Sequence, residues 1–140
     1  MMAEKTLMIV KPDAVGKNVI GQIIGRVEGH GFIVKRLRML SLSREMAESF
    51  YEIHKERPFF GELVDFMISG PVLVQVLEAD NAVIFYREIM GSTNPEEADS
   101  NTIRKLFGKD IQCNAVHGSD SEENAIIEAS FFFSQLELLG

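Results

Sequence analysis

His117 is the residue of this chain best placed to do covalent chemistry. In Asn114-Ala115-Val116-His117-Gly118-Ser119-Asp120 it closes a short apolar run and is followed by glycine, serine and aspartate. Gly118 in that position frees the backbone for a tight turn and for close approach of a ligand. Ser119 and Asp120 are helix-capping residue types, and Asp120 and Glu123 stand at capping-box spacing before a helix that begins at Ser121-Glu122-Glu123-Asn124. An imidazole ahead of a helix N-terminus has oriented N–H groups and a positive dipole end close by, a setting that suits anionic phosphate. One reading is a nucleophilic histidine that attacks phosphorus; the other is a satisfied structural histidine at a strand end.

The rest of the chemically able side chains narrow that choice. His30, His54 and His117 are dispersed, with no spacing that suits zinc. No serine sits in a nucleophile elbow. Cys113 is the one cysteine, so no internal disulfide forms, which fits a reducing compartment, and it reads as structural. Lys11, Arg57, Arg87 and Arg104, with the hydroxyl of Thr93, remain as scattered partners for an anion. Phosphoryl transfer asks for little beyond alignment and charge compensation, which lysine and arginine supply through point and bidentate contacts.

These residues need elements to hold them. Thr6 to Lys11 is a continuous apolar run closed by Pro12, the pattern of a central strand covered on both faces. Pro12 to Gly16 is expected as a loop, without the glycine–lysine spacing of a P-loop. Ile20, Ile23, Ile24 and Val27 mark an amphipathic helix stopped at Gly29-His30-Gly31, with His30 an exposed cap residue. Phe32 to Leu42 is a second strand, and Ser43 caps a helix carrying Met46, Ala47, Phe50, Tyr51 and His54. Arg57-Pro58 interrupts it, and Phe60, Leu63, Val64 and Met67 mark the next helix. Phe59 lies about 100° off that helix's apolar face, either as an accessible platform for a planar base or as an ordinary half-buried side chain. Val72 to Leu77 is a third strand. Asp80 caps a helix that Gly91 closes and from which Arg87 projects to solvent. A long polar connection from Ser92 to Asp110, with one helical turn at Thr102 to Phe107, precedes the fourth strand, and a loop of that length in a compact domain is usually functional. In the last helix Glu128 shares a face with Ser121, Asn124 and Ala125, so it either leans back toward His117 or is solvated.

Strand–helix–strand twice over predicts an α+β, ferredoxin-like β-α-β-β-α-β domain over residues 1–140. Its four-stranded antiparallel sheet carries helices on one face, with a long loop before the last strand. The 140 residues suffice for one domain with a sizeable core. Apolar residues at 46% and charged residues at 25% are ordinary globular values. A net charge of −7 argues against general affinity for nucleic-acid backbone. No stretch approaches the roughly 20 apolar residues of a membrane span, and Met1-Met2-Ala3-Glu4-Lys5 lacks the pattern of a leader; a cytoplasmic protein is the expectation.

The segment Asn114 to Ser121 resembles the active-site signature of the bacterial-type nucleoside diphosphate kinases. The resemblance covers essentially the whole chain. Leu7 to Ala14 (LMIVKPDA), Arg57 to Phe60 (RPFF), Ser69-Gly70-Pro71, Gly91 with Thr93-Asn94-Pro95, and Thr102-Ile103-Arg104 follow in the family's order. It implies that His117 carries the γ-phosphoryl of a nucleoside triphosphate on Nδ1 and passes it to a nucleoside diphosphate. Lys11, Tyr51, Arg87, Thr93, Arg104 and Asn114 would match the family's phosphate- and ribose-binding positions. Phe59 would be the base-stacking aromatic, with Ile111 near the base; Glu128 would orient the imidazole and Ser119 support that pair. Stacking that reads no base edge implies broad base tolerance. The resemblance also implies Mg²⁺ carried on the nucleotide phosphates rather than in a protein cage, and a homo-oligomer, tetramer or hexamer. Asp99-Ser100-Asn101 departs from the family's frequent proline-glycine pair before Thr102, which implies a less rigid loop. A non-enzymatic nucleotide- or nucleic-acid-binding module on the same fold is the rival reading, and a histidine-dependent phosphatase a second.

Overall fold

The computed structural model describes residues 3–139. Four strands, β1 (Glu4–Val10), β2 (Ile33–Leu40), β3 (Val72–Ala79) and β4 (Val116–Gly118), form one sheet in the order β2-β3-β1-β4 with every neighbouring pair antiparallel. This is the expected ferredoxin-like arrangement, with its long connection before β4. The central position of β1 follows from its sequence: Leu7, Met8, Ile9 and Val10 are all fully buried, which an edge strand with a solvated face cannot achieve.

Helices cover both faces, where a single helical layer was expected. On one face α2 (Ile20–Gly29) and α5 (Ala82–Met90) pack Ile23, Val27, Tyr86 and Met90 against Met8, Val10, Leu73 and Leu77. On the other, α3 (Arg44–Phe50), α4 (Phe60–Met67) and α7 (Glu122–Phe132) pack Ala47, Val64, Met67, Ala129 and Phe132 against Leu7, Ile9, Val74 and Val76. Both sets of alternate residues along β1 and β3 are apolar, so both faces need a cover. α6 (Ile103–Phe107) and the short α8 (Gln135–Leu138) complete the chain.

Three local expectations change. Pro12 to Gly16 is a single helical turn, α1, not a loop; proline at the first helical position is preorganised for that turn, and five residues are too few to show a period. Asp80 does not cap α5: Asn81 holds the position in a left-handed conformation at φ 53°, and the Glu4 carboxylate accepts from the Val83 amide at 2.8 Å. At α7 the cap is Ser121, whose Oγ accepts from the Asn124 amide at 3.1 Å, while Asp120 accepts from the Asn124 side chain, so the Asp120/Glu123 capping box does not form. No helix among the described residues is long and apolar enough to cross a membrane. Met1 and Met2 of the segment read for a leader lie outside those residues.

Candidate active site

His117 is placed by register. It pairs with Ile9 across β1 and β4 and therefore projects to the face covered by α3 and α7. There its ring meets Phe50 edge-on at a centroid distance of 5.6 Å and Tyr51 at 6.3 Å. Nε2 lies 2.8 Å from Oε1 of Glu128, and the hydroxyl of Ser119 donates to the same oxygen at 2.8 Å. A carboxylate can only accept, so the neutral ring carries its proton on Nε2 and leaves the Nδ1 lone pair free. Glu128 thus leans on the histidine and is not a solvated carboxylate.

Gly118 serves a purpose that the sequence reading missed. Its φ is not positive, and a Cβ there would meet Cε2 of the fully buried Tyr86 at 2.7 Å. The glycine lets a core ring pass close behind His117, not a ligand. The strained backbone stands three residues earlier, at Ala115, with φ 75°.

Lys11 follows the last residue of β1, and its amide donates to the Ala115 carbonyl at 2.8 Å. Its ammonium donates to Oδ1 of Asn114 at 2.8 Å, and the Asn114 amide donates to the Thr93 carbonyl at 3.0 Å, which ties the long connection to the end of β1. Burial, and next the nearby Arg104 guanidinium, bring the Lys11 pKa down to about 8. Arg104 is itself buried, donating to the carbonyls of Gly91 at 3.2 Å and Val116 at 2.9 Å. Burial lowers its pKa, yet guanidinium stays charged at any physiological pH. Burial and the charge of Glu128 push the Tyr51 phenol well above its ordinary range, so it is a neutral hydroxyl.

Two adjoining hollows open over these groups. A cleft of about 380 Å³ is lined by Lys11, Tyr51, Phe59, Thr93, Arg104, Asn114 and His117, together with His54, Leu63, Ile111 and Gln112. The second shares Tyr51, His54, Thr93, Arg104 and His117 and adds Arg87, Asp120 and Glu128. Every residue singled out from the sequence as a site candidate lines one of the two, except Ser119, which is buried beneath and bonded to Glu128. Arg57, counted among the scattered cations, lines neither. Phe59 is 45% exposed, with its ring 5.7 Å from that of His54.

The family model for nucleoside diphosphate kinase matches residues 4–138. The chain belongs to the nucleoside diphosphate kinase family. Nucleoside diphosphate kinases of Chlamydia felis and of Legionella pneumophila (strain Paris) are each 60% identical to it, over 136 and 138 residues. The first alignment covers 97% of this chain and 96% of the relative, the second 99% and 98%. Among solved structures, the Aquifex aeolicus nucleoside diphosphate kinase superposes with a TM-score of 0.95 at 50% identity, covering 97% of this chain and 99% of that one. The Encephalitozoon cuniculi enzyme superposes at 0.91 with 36% identity, over 94% and 90%. The chain is accordingly a phosphotransferase, and its sheet, helices and connections are those of the family.

In the first cleft of this kinase, three lining residues escaped the sequence reading. His54 read as part of the helix that Ser43 caps, but α3 stops at Phe50 and His54 sits in a separate turn, Glu52–His54; Leu63 read as core, and Gln112 sat in a polar stretch without pattern. Asp13, which accepts from the Ala115 amide at 3.0 Å, was hidden because its partner is 102 residues away. Cys113 is half-buried, and burial, with the carboxylates of Asp110 and Asp13, raises its thiol pKa, as befits an inert cysteine.

Proposed function

We propose that this kinase transfers the γ-phosphoryl group of a nucleoside triphosphate to a nucleoside diphosphate in two half-reactions through a phosphohistidine at His117. In the first, the Nδ1 lone pair attacks the γ-phosphorus, the bond to the bridging oxygen breaks, and the diphosphate leaves with that electron pair. In the second, a terminal oxygen of an acceptor diphosphate takes the phosphoryl group and restores the free imidazole.

The observation that carries this reading is the pairing of Nε2 with Glu128 beside a cationic cleft. A carboxylate on one ring nitrogen fixes the tautomer and steadies the positive charge that the ring gains when the other nitrogen is phosphorylated. Lys11, Arg87 and Arg104 offset the charge of the transferring group, and Tyr51, Thr93 and Asn114 supply neutral donors to phosphate and ribose. The first turn of α7 carries Glu122 and Glu123, which already complement its dipole, so the cations rather than that helix end are left to meet phosphate. Phe59 and Ile111 take the base between them by stacking and apolar contact, which admits every base.

The first cleft is lined by cations and amides, and the carboxylates that the second adds are those of Asp120 and of Glu128, the latter already bonded to His117; this chemistry fits Mg²⁺ carried by the nucleotide's own phosphates rather than by side chains of this chain. When bound there, the ion neutralises charge on the leaving diphosphate.

The same reading places the protein in a reducing cytoplasm as a homo-oligomer. β2 is a sheet edge, and its Ile33, Leu37 and Met39 are 56%, 51% and 52% exposed, an unpaired apolar border that a second copy would cover. Solution mass distinguishes tetramer from hexamer. The activity is tested by mixing ATP with several diphosphates and fitting both substrates: parallel double-reciprocal lines and turnover of every base are expected. Release of inorganic phosphate without an acceptor would make the protein a phosphatase, and binding without exchange a nucleotide-binding module.

A further inference from the structure

Asp13 has no part in the transfer steps, yet it reaches two groups those steps depend on. It stands in α1, two residues after Lys11. Its Oδ2 accepts the Ala115 amide at 3.0 Å, and its Oδ1 is buried without a partner. Ala115 occupies the left-handed region at φ 75°, a conformation that is strained for an alanine and persists only when held from outside. Two bonds hold it: Asp13 accepts from its amide, and the Lys11 amide donates to its carbonyl at 2.8 Å. Residue 115 is thus clamped on both sides by the segment Lys11–Asp13. Asn114 precedes it, with its side chain on the Lys11 ammonium, and His117 follows two residues on.

Four groups act on the Lys11 ammonium. Arg104 opposes its charge; Asp13 and Cys113 favour it, and Asn114 offers a neutral oxygen. The Cys113 thiol is pushed up by burial and by nearby carboxylates, so at neutral pH Asp13 brings the one full negative charge of that set.

We propose that Asp13 is a positioning residue for Lys11: anchored on the Ala115 amide, whose carbonyl the Lys11 backbone in turn holds, it fixes a buried carboxylate beside the segment that carries the Lys11 side chain and supplies that buried cation with its counter-charge. The inference rests on the phosphoryl-transfer reading only in giving Lys11 a phosphate to hold.

Asp13→Asn tests it, because asparagine keeps an oxygen for the Ala115 amide and removes the charge. Lys11 is followed by NMR titration of its side-chain carbon in the whole protein, its resonance identified by its loss in Lys11→Arg. The wild-type midpoint is expected near pH 8, and that of Asp13→Asn lower by about one unit. The basic limb of kcat/KM should move down with it, while a variant that merely loosened the fold would lose rate at every pH without moving the midpoint. Should Asp13→Asn not fold, Asp13→Ala combined with Ala115→Gly removes the same charge where glycine no longer needs the clamp. An unchanged or raised Lys11 midpoint in the folded variant overturns the proposal. Absence of nucleotide exchange in the wild type would instead defeat the function proposed above, while the Lys11 titration still decides the role of Asp13.

Discussion

Oε1 of Glu128 receives two hydrogen bonds, from Nε2 of His117 and from the hydroxyl of Ser119, each at 2.8 Å. One oxygen therefore fixes the ring's tautomer while a second donor fixes that oxygen. Glu128→Gln keeps the shape and removes the charge that would steady a phosphorylated, cationic ring. Phosphorylation of the enzyme by ATP in single-turnover mixing should slow by about 10–100-fold, with nucleotide affinity little changed. A wild-type rate would mean that the carboxylate is structural.

Arg104 faces the cleft and also bonds the carbonyls of Gly91 and Val116, so it belongs to two accounts at once. Arg104→Ala should lower turnover by about tenfold to a thousandfold. It should also lower the denaturation midpoint, because two buried carbonyls lose a charged donor, at about 1–3 kcal/mol. Urea unfolding beside steady-state kinetics separates the two losses. Arg104→Lys should recover little of either, since one ammonium does not span both carbonyls and a phosphate.

Phe59 stands half-exposed against His54 at the rim of the cleft. Phe59→Ala should raise KM for adenine, guanine and pyrimidine diphosphates alike by about five- to 150-fold, the equivalent of 1–3 kcal/mol of stacking. A loss confined to one base would show that the ring reads identity and not merely a π-face.

Lys11 ties activity to pH with opposite signs for function and stability. Its folded pKa is about 8 against an ordinary 10.5. Between those values the unfolded chain binds more protons, so this group's contribution to stability rises as pH climbs through that window. The kcat/KM profile should fall over the same interval as the ammonium is lost. The check is the difference in unfolding free energy between Lys11→Met and wild type at pH 7 and pH 10. The advantage of methionine should be larger at pH 7, and a difference independent of pH would contradict the buried-ammonium picture.

Much of this site was legible because its parts are local. The apolar run Thr6 to Lys11 announces a central strand, and β1 (Glu4–Val10) is one. Phe59 fell off the apolar face of its helix by periodicity alone, and it is exposed. Glu128 shares a helical face with Ser121, so its reach toward His117 is one of the two outcomes that the sequence offers. What failed was what depends on distant partners. Gly118 looked like a turn, but the ring demanding it belongs to Tyr86, thirty-two positions away in sequence. The capping of α5 was misassigned because the carboxylate that serves its first turn comes from Glu4. The burial of both faces of β1 already implies helices on both sides, against the single helical layer of the expected topology. Asp13 sat inside a recognised segment with nothing to mark its hold on Ala115.

The covalent claim is open to one direct measurement. Purified protein is incubated with magnesium and ATP, without a diphosphate acceptor, and its intact mass is taken under neutral conditions. A gain of ~80 Da, one phosphoryl group on the nucleophile, is expected; it should be acid-labile, discharged by added GDP and absent from His117→Ala. No gain in the wild type, or the same gain in His117→Ala, would contradict the account.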